Sequence, residues 1–209
     1  GYIWDNGTIV GVETTRGPIR AKKVALAVAG HTGHLAEKAG LRLPIETHVL
    51  QAFVTEPLKP LVDSIISFGA AHFYISQSDK GGLVLGGDLD GFNSYAQRGG
   101  LPIVEHTLHS AKALMPSLSR LRLLRHWAGV MDMSMDGSPI IGKMPVEGLW
   151  LNGGWCYGGF KATPASGYCF AWTIAKGEPH PDNAEFTLER FERGYQIDEK
   201  GAGPQPNAH

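Results

Sequence analysis

A chain of 209 residues with 43% hydrophobic and 19% charged side chains has enough apolar surface to bury a core, which excludes an intrinsically disordered polymer. Nineteen basic residues stand against twenty acidic ones, interspersed and without a basic block, so no nucleic-acid footprint is present. No apolar run approaches the ~20 residues of a membrane span, and a small molecule is the expected partner, with neither nucleic acid nor membrane.

The first residues, Gly1-Tyr-Ile-Trp-Asp, lack a Met, a basic region and an apolar leader, so the chain reads as a cut piece of a cytoplasmic protein. Two cysteines, Cys156 and Cys169, make no disulfide framework and are expected as reduced thiols. Asn6-Gly7 and Gly17-Pro18 are turn signals around Ile9–Thr15 and Ile19–Val28, predicting a hairpin whose second strand becomes buried. That strand ends in Ala29-Gly30, and Thr32 is the expected N-cap of a helix to about Ala39. Strand, glycine, helix can bring backbone close to a ligand.

From Pro44 the pattern turns to β. Ile45–Glu56, His72–Gln77 and Gly82–Gly86 read as strands, the last two joined as a hairpin by Asp79-Lys-Gly-Gly. Pro102–Met115 has helical spacing between two prolines, and Leu121–Met133 returns as a strand. A frayed tail is expected from 196 to 209.

The stretch Leu149–Gly167 reads as a short apolar strand, a turn with four glycines (Gly153, Gly154, Gly158, Gly159), and a helix over Ala162–Lys176. Glycines expose backbone N–H groups, and the helix start adds its own free amides and positive dipole end. Lys161 stands at the mouth of this turn, so the outline is that of a cofactor or anion site. A tight strand-to-helix connection explains the glycines alone equally well.

The wording Gly-Gly-Phe-Lys-Ala-Thr-Pro-Ala-Ser-Gly, preceded by Asp-Gly-Ser-Pro-Ile-Ile-Gly-Lys143, resembles the C-terminal flavin-binding segment of the amine-oxidising FAD family that includes glycine oxidase and the sarcosine oxidases. Within that family it is most similar to the β-subunit branch of the heterotetrameric sarcosine oxidases. The resemblance implies an α+β or α/β fold: the C-terminal part of a glutathione-reductase-like FAD domain (1–43 and 135–195) and an antiparallel substrate domain (44–134). No Gly-x-Gly-x-x-Gly fingerprint occurs, so the resemblance places it upstream, in a missing half that also carries the attachment of a covalent FMN.

The implied reaction is oxidative demethylation of sarcosine or a similar secondary amino acid by hydride transfer to FAD, giving glycine and a one-carbon unit that tetrahydrofolate can accept. By resemblance, Lys161 binds the substrate carboxylate and is the catalytic residue. Ala29, Gly30, Cys156, Gly158, Gly159, Phe160 and Lys161 contact FAD, and other subunits assemble around the chain. Amides of that loop near the flavin pyrimidine would stabilise negative charge on the reduced ring. Cys156 lines the flavin without reacting, and His48 lies near the second flavin.

Two departures bear on this. Where single-chain relatives carry an oxygen-activating lysine and a pocket histidine, this sequence has Val84 and Asp88, which points away from a monomeric oxidase. His31/His34 and His106/His109 have metal-like spacing but no third ligand, and no metal is expected. Asp132 and Asp136 sit in a turn, where aspartates bond their own backbone, and neither is assigned a catalytic role. Two alternatives stay open: an FAD-dependent dehydrogenase of another amino acid or opine with a partner electron acceptor, and a non-catalytic segment that holds no flavin. In isolation the segment is expected to be inactive.

Overall fold

The computed structural model describes residues 1–69 and 72–197. It divides into two compact units: residues 1–47 with those from 131 onward, and residues 48–130. The tail expected from 196 lies, beyond Ile197, outside the described residues.

In the first unit, β1 (Tyr2–Asp5), β2 (Thr8–Thr14) and β3 (Gly17–Arg20) form an antiparallel meander. Asn6 and Gly7 both take positive φ, +47° and +81°, as the tightest hairpin turn requires. A second sheet has the order β10 (Ile140–Lys143), β11 (Leu149–Gly153), β4 (Val24–Leu26), with β10 antiparallel and β4 parallel to β11. Ile9, Val24, Leu26, Ile140, Leu149 and Leu151 share one core. The meander meets this sheet where Ile9 N–H donates to the Glu147 carbonyl at 2.9 Å. Gly148 (φ +84°) makes the approach possible, since a Cβ there would stand 2.1 Å from the Ile9 carbonyl oxygen.

The single buried strand expected over Ile19–Val28 is instead two strands in different sheets. The sequence Arg20-Ala-Lys-Lys23 cannot be buried, so β3 stays at an edge with Ile19 exposed. The chain enters the second sheet only after Lys23, whose ammonium bonds the Ile174 carbonyl and lies 5.2 Å over the Trp150 ring. Helices α1 (Thr32–Lys38), α2 (Leu101–Leu114, in the other unit), α3 (Gly159–Lys176) and α4 (Glu189–Glu192) complete the set. Arg190 on α4 is buried and uses every guanidinium N–H. It grips Asp136 bidentately at 2.7 and 2.8 Å and donates to the carbonyls of Pro139, Thr187 and Ser138.

The second unit holds an antiparallel sheet of order β6 (Ile66–Phe68), β7 (Phe73–Gln77), β8 (Gly82–Leu89), β5 (Ile45–Pro57, in this unit from His48), β9 (Leu123–Ser134, in this unit up to Val130), with α2 packed against it. Its core joins Phe53, Phe73, Ile75, Leu83 and Leu85 to Ala111 and Leu118. Strand β6 was not legible in the sequence. The register between β5 and β8 slips between Leu50/Ala52, and Gly87 (φ +127°) sits at that bulge. One extra residue shifts the alternation, so burial moves from Leu83 and Leu85 to Asp88 and Asp90.

Candidate cofactor site

Parallel pairing of β4 with β11 sets their carboxyl ends side by side, and the chain leaves them through two tight turns. Ligands of open α/β sheets collect outside such strand ends, where departing loops turn their amides together. The first turn passes Ala29, held at φ +47°, into buried Gly30. A left-handed alanine is strained by about 1–2 kcal/mol, and two buried hydroxyls hold it. Thr32 Oγ1 donates to the Ala29 carbonyl at 2.6 Å and Thr47 Oγ1 to the Gly30 carbonyl at 2.7 Å. Thr32 is the first residue of α1 rather than its N-cap; its hydroxyl turns back to the strained alanine.

The second turn is organised by Asp132, which is 4% exposed. Its carboxylate accepts the Gly154 N–H at 2.5 Å, and Oδ2 lies 3.4 Å from Thr32 Oγ1. Its carbonyl accepts the Cys156 N–H at 3.0 Å, and Met133 beside it bridges Trp155. Asp132 therefore connects both turns. Among the described residues it makes no ion pair, and burial pushes its carboxyl above the ordinary range although the Gly154 and Thr32 bonds oppose this.

Cys156 has φ +52° and turns its thiol inward, 3.6 Å from both Ser134 Oγ and the Gly154 carbonyl. Burial pushes the thiol pKa up, which keeps it protonated and unreactive. Gly158 and Gly159 let the chain fold closely around Trp155: a Cβ on Gly159 would stand 3.1 Å from Trp155 Cβ. Helix α3 starts at Gly159, three residues earlier than the pattern indicates. No side chain caps it, and the bond from Ala162 N–H to the Gly158 carbonyl opens its ladder. The amides of Gly159, Phe160 and Lys161 thus lie ahead of the ladder at the positive dipole end. Phe160 is 98% exposed, and the exposed Lys161 makes no ion pair among the described residues. Free amides, a glycine cradle and one uncommitted ammonium suit a planar, electron-rich or anionic group.

Ala29, Gly30, Cys156, Gly158, Gly159, Phe160 and Lys161 all belong to these two turns and the helix start they lead into. His48 does not; it belongs to the second unit, 3% exposed, with Nδ1 2.8 Å from the Asp90 carbonyl oxygen. There Asp90 also accepts from Gln51 Nε2 at 2.9 Å, and Gln51 Oε1 lies 2.9 Å from His126 Nε2. Asp88 meets His106 Nδ1 at 2.5 Å. The sequence reading missed Thr32 as an anchor and Asp132 as the link. The available signal was a lone carboxylate between Met131 and Met133 in a strand.

The family model described as FAD dependent oxidoreductase (DAO) matches residues 2–172. Sarcosine oxidase subunit beta of Rhizobium meliloti (strain 1021) is 64% identical over 205 residues, 98% of this chain and 49% of that protein. Glycine oxidase of Pseudomonas putida is 30% identical over 190 residues, covering 90% of this chain and 51% of the relative. The crystal structure of L-proline dehydrogenase from P. horikoshii superposes with a TM-score of 0.79 at 29% identity, over 94% of this chain and 54% of that one. The chain spans about half the length of the curated relatives it matches. Over that span its sequence and its sheet arrangement agree with one assignment: the chain belongs to the family of FAD-dependent oxidoreductases.

Proposed function

We propose that the protein oxidises the C–N bond of a secondary α-amino acid, sarcosine first among them, and that the two turns at the ends of β4 and β11 form its flavin-side wall. The observation that carries the reading is the Thr32–Asp132–Gly154 link, which fixes the turns to one another directly ahead of α3. Bound FAD supplies the two-electron acceptor for the amine. The backbone at Ala29 and Gly30 approaches the cofactor, while the loop from Cys156 to Phe160 and its leading amides stabilise negative charge on the ring. Cys156 contributes through its backbone, because its thiol is committed inward. Lys161 binds the substrate carboxylate and orients the amine, a charge-assisted contact worth about 1.5–3 kcal/mol when shielded from water.

The wider reading places FMN on the part of the protein outside this segment, tetrahydrofolate as acceptor of the one-carbon unit, partner subunits around the chain, and the assembly in the cytoplasm. His48, tied to the Asp90 carbonyl, serves there as a buried positioning group near the second flavin. The likeness to L-proline dehydrogenase favours one further reading, a dehydrogenase of another secondary amino acid that passes electrons to a protein partner. Anaerobic titration of the purified protein and its co-purifying subunits with sarcosine separates these. Bleaching of the flavin band is expected, and Lys161→Met should raise the half-saturating concentration at least tenfold. A yellow protein bleached by proline but not sarcosine would shift the reading to the dehydrogenase; a colourless protein would overturn it.

A further inference from the structure

Away from the two turns, the far end of α3 carries a second cluster. Cys169 is buried on α3; the helix closes at Gly177 in the left-handed conformation (φ +81°), and His180 and Asp182 follow on the next turn. One ligand atom from each of Cys169, His180 and Asp182 lies within 4.8 Å of the others. The imidazole is held edge-on by Tyr168 and Trp172, at centroid distances of 5.7 and 5.2 Å. The His180 backbone N–H donates to Thr173 Oγ1 at 3.1 Å, and the same hydroxyl accepts from Asn183 Nδ2 at 3.3 Å. Asn183 Oδ1, on the same turn as Asp182, is buried and has no hydrogen-bond partner among the described residues.

We propose that Cys169, His180 and Asp182 form a site for a zinc-class divalent cation. A pairing of Asp182 with His180 alone, whose Oδ2 and Nδ1 are 3.7 Å apart, does not account for the converging thiol. A mixed sulfur, nitrogen and oxygen set selects a borderline-soft ion over calcium or magnesium. Tetrahedral zinc brings ligand atoms to roughly 3.5 Å of one another, so closing the site from within 4.8 Å needs a shift of about 1 Å. The 3.2 Å bond from Asp182 N–H to His180 Nδ1 is replaced if that nitrogen takes the metal. Binding forms an S–metal bond and releases the Cys169 thiol proton to water; no electron moves. Water supplies a fourth ligand. The site would clamp the end of α3 to the turn that follows, a structural role independent of the flavin reading.

The test uses the purified, tag-free protein, stripped with a chelator and reloaded with Zn2+. One equivalent of zinc should survive gel filtration by elemental analysis, with a higher thermal midpoint than the stripped protein. Cys169→Ser and His180→Ala should each lose the retained zinc and the midpoint rise while far-ultraviolet circular dichroism stays unchanged. Asp182→Asn, on an exposed side chain, should fold normally and weaken zinc binding about tenfold. Absence of retained zinc in the parent protein overturns the proposal. So does full zinc retention in the folded Asp182→Asn and Cys169→Ser proteins, which would place the metal elsewhere.

Discussion

Asp132 and Asp136 lie four residues apart, both are withdrawn from water, and their surroundings treat them in opposite ways. Asp136 faces a guanidinium in bidentate contact, and further N–H groups from Ser138 and Ile197 reach its oxygens at 3.2 Å. Burial alone would raise its carboxyl pKa, but the Arg190 bonds and charge outweigh that and hold it below the ordinary range. Among the described residues Asp132 has amide and hydroxyl partners only, and burial wins. The difference teaches that a buried carboxylate is a staple when a cation satisfies it, and a cost to the fold when only dipoles do. Such a cost is tolerated where the charge serves a ligand site.

The largest effect is expected from Asp136→Ala, which strands Arg190 with its side chain 2% exposed. An uncompensated buried charge costs about 3–5 kcal/mol, read as a lowered midpoint in chemical unfolding of the first unit. Because the folded pKa of Asp136 is depressed, its contribution is complete above the ordinary carboxylate value of ~3.9 and disappears as pH falls through the folded value. Acid lability missing from the parent protein would break the comparison.

A smaller effect is expected from Thr32→Val. It removes the bond to the Ala29 carbonyl and the weaker share given to Asp132, costing about 1–2 kcal/mol. Flavin retention on gel filtration should fall with it, since the strained turn loses its anchor.

The smallest change in stability is expected from Asp132→Asn, within about 1 kcal/mol at neutral pH, because the amide oxygen still accepts from Gly154. Its signature is the pH profile. The raised folded pKa of Asp132 means that the native state holds the proton more tightly, so stability declines as pH climbs from ~3.9 through the folded value. The Asn variant should lack that decline. A loss of several kcal/mol would mean that the ionised carboxylate is stabilised after all, and the contrast with Asp136 would collapse.

Local chemistry made part of this readable in advance. The Gly-Gly-Phe-Lys loop, the helix after it, the Asn6-Gly7 turn and the strand runs of the antiparallel unit all declare themselves through residues near one another in sequence. Thr32 and Asp132 did not, because their partnership spans one hundred residues and each has an ordinary local reading, as an N-cap and as a turn aspartate. The Gly87 bulge was likewise invisible, since nothing in Leu83-Val-Leu-Gly-Gly-Asp88 says which glycine breaks the alternation. Lys22 and Lys23 could have warned that one buried strand was too long.

The parallel pairing of β4 with β11 also orders events in time. During synthesis Val24 waits for Leu149, so the Ala29 turn emerges long before the loop it must join. The intervening unit, residues 48–130, has its own core. If that core condenses first, the slack between the two strands shrinks to short tethers, and the entropy of closing the cradle is that of a much smaller loop.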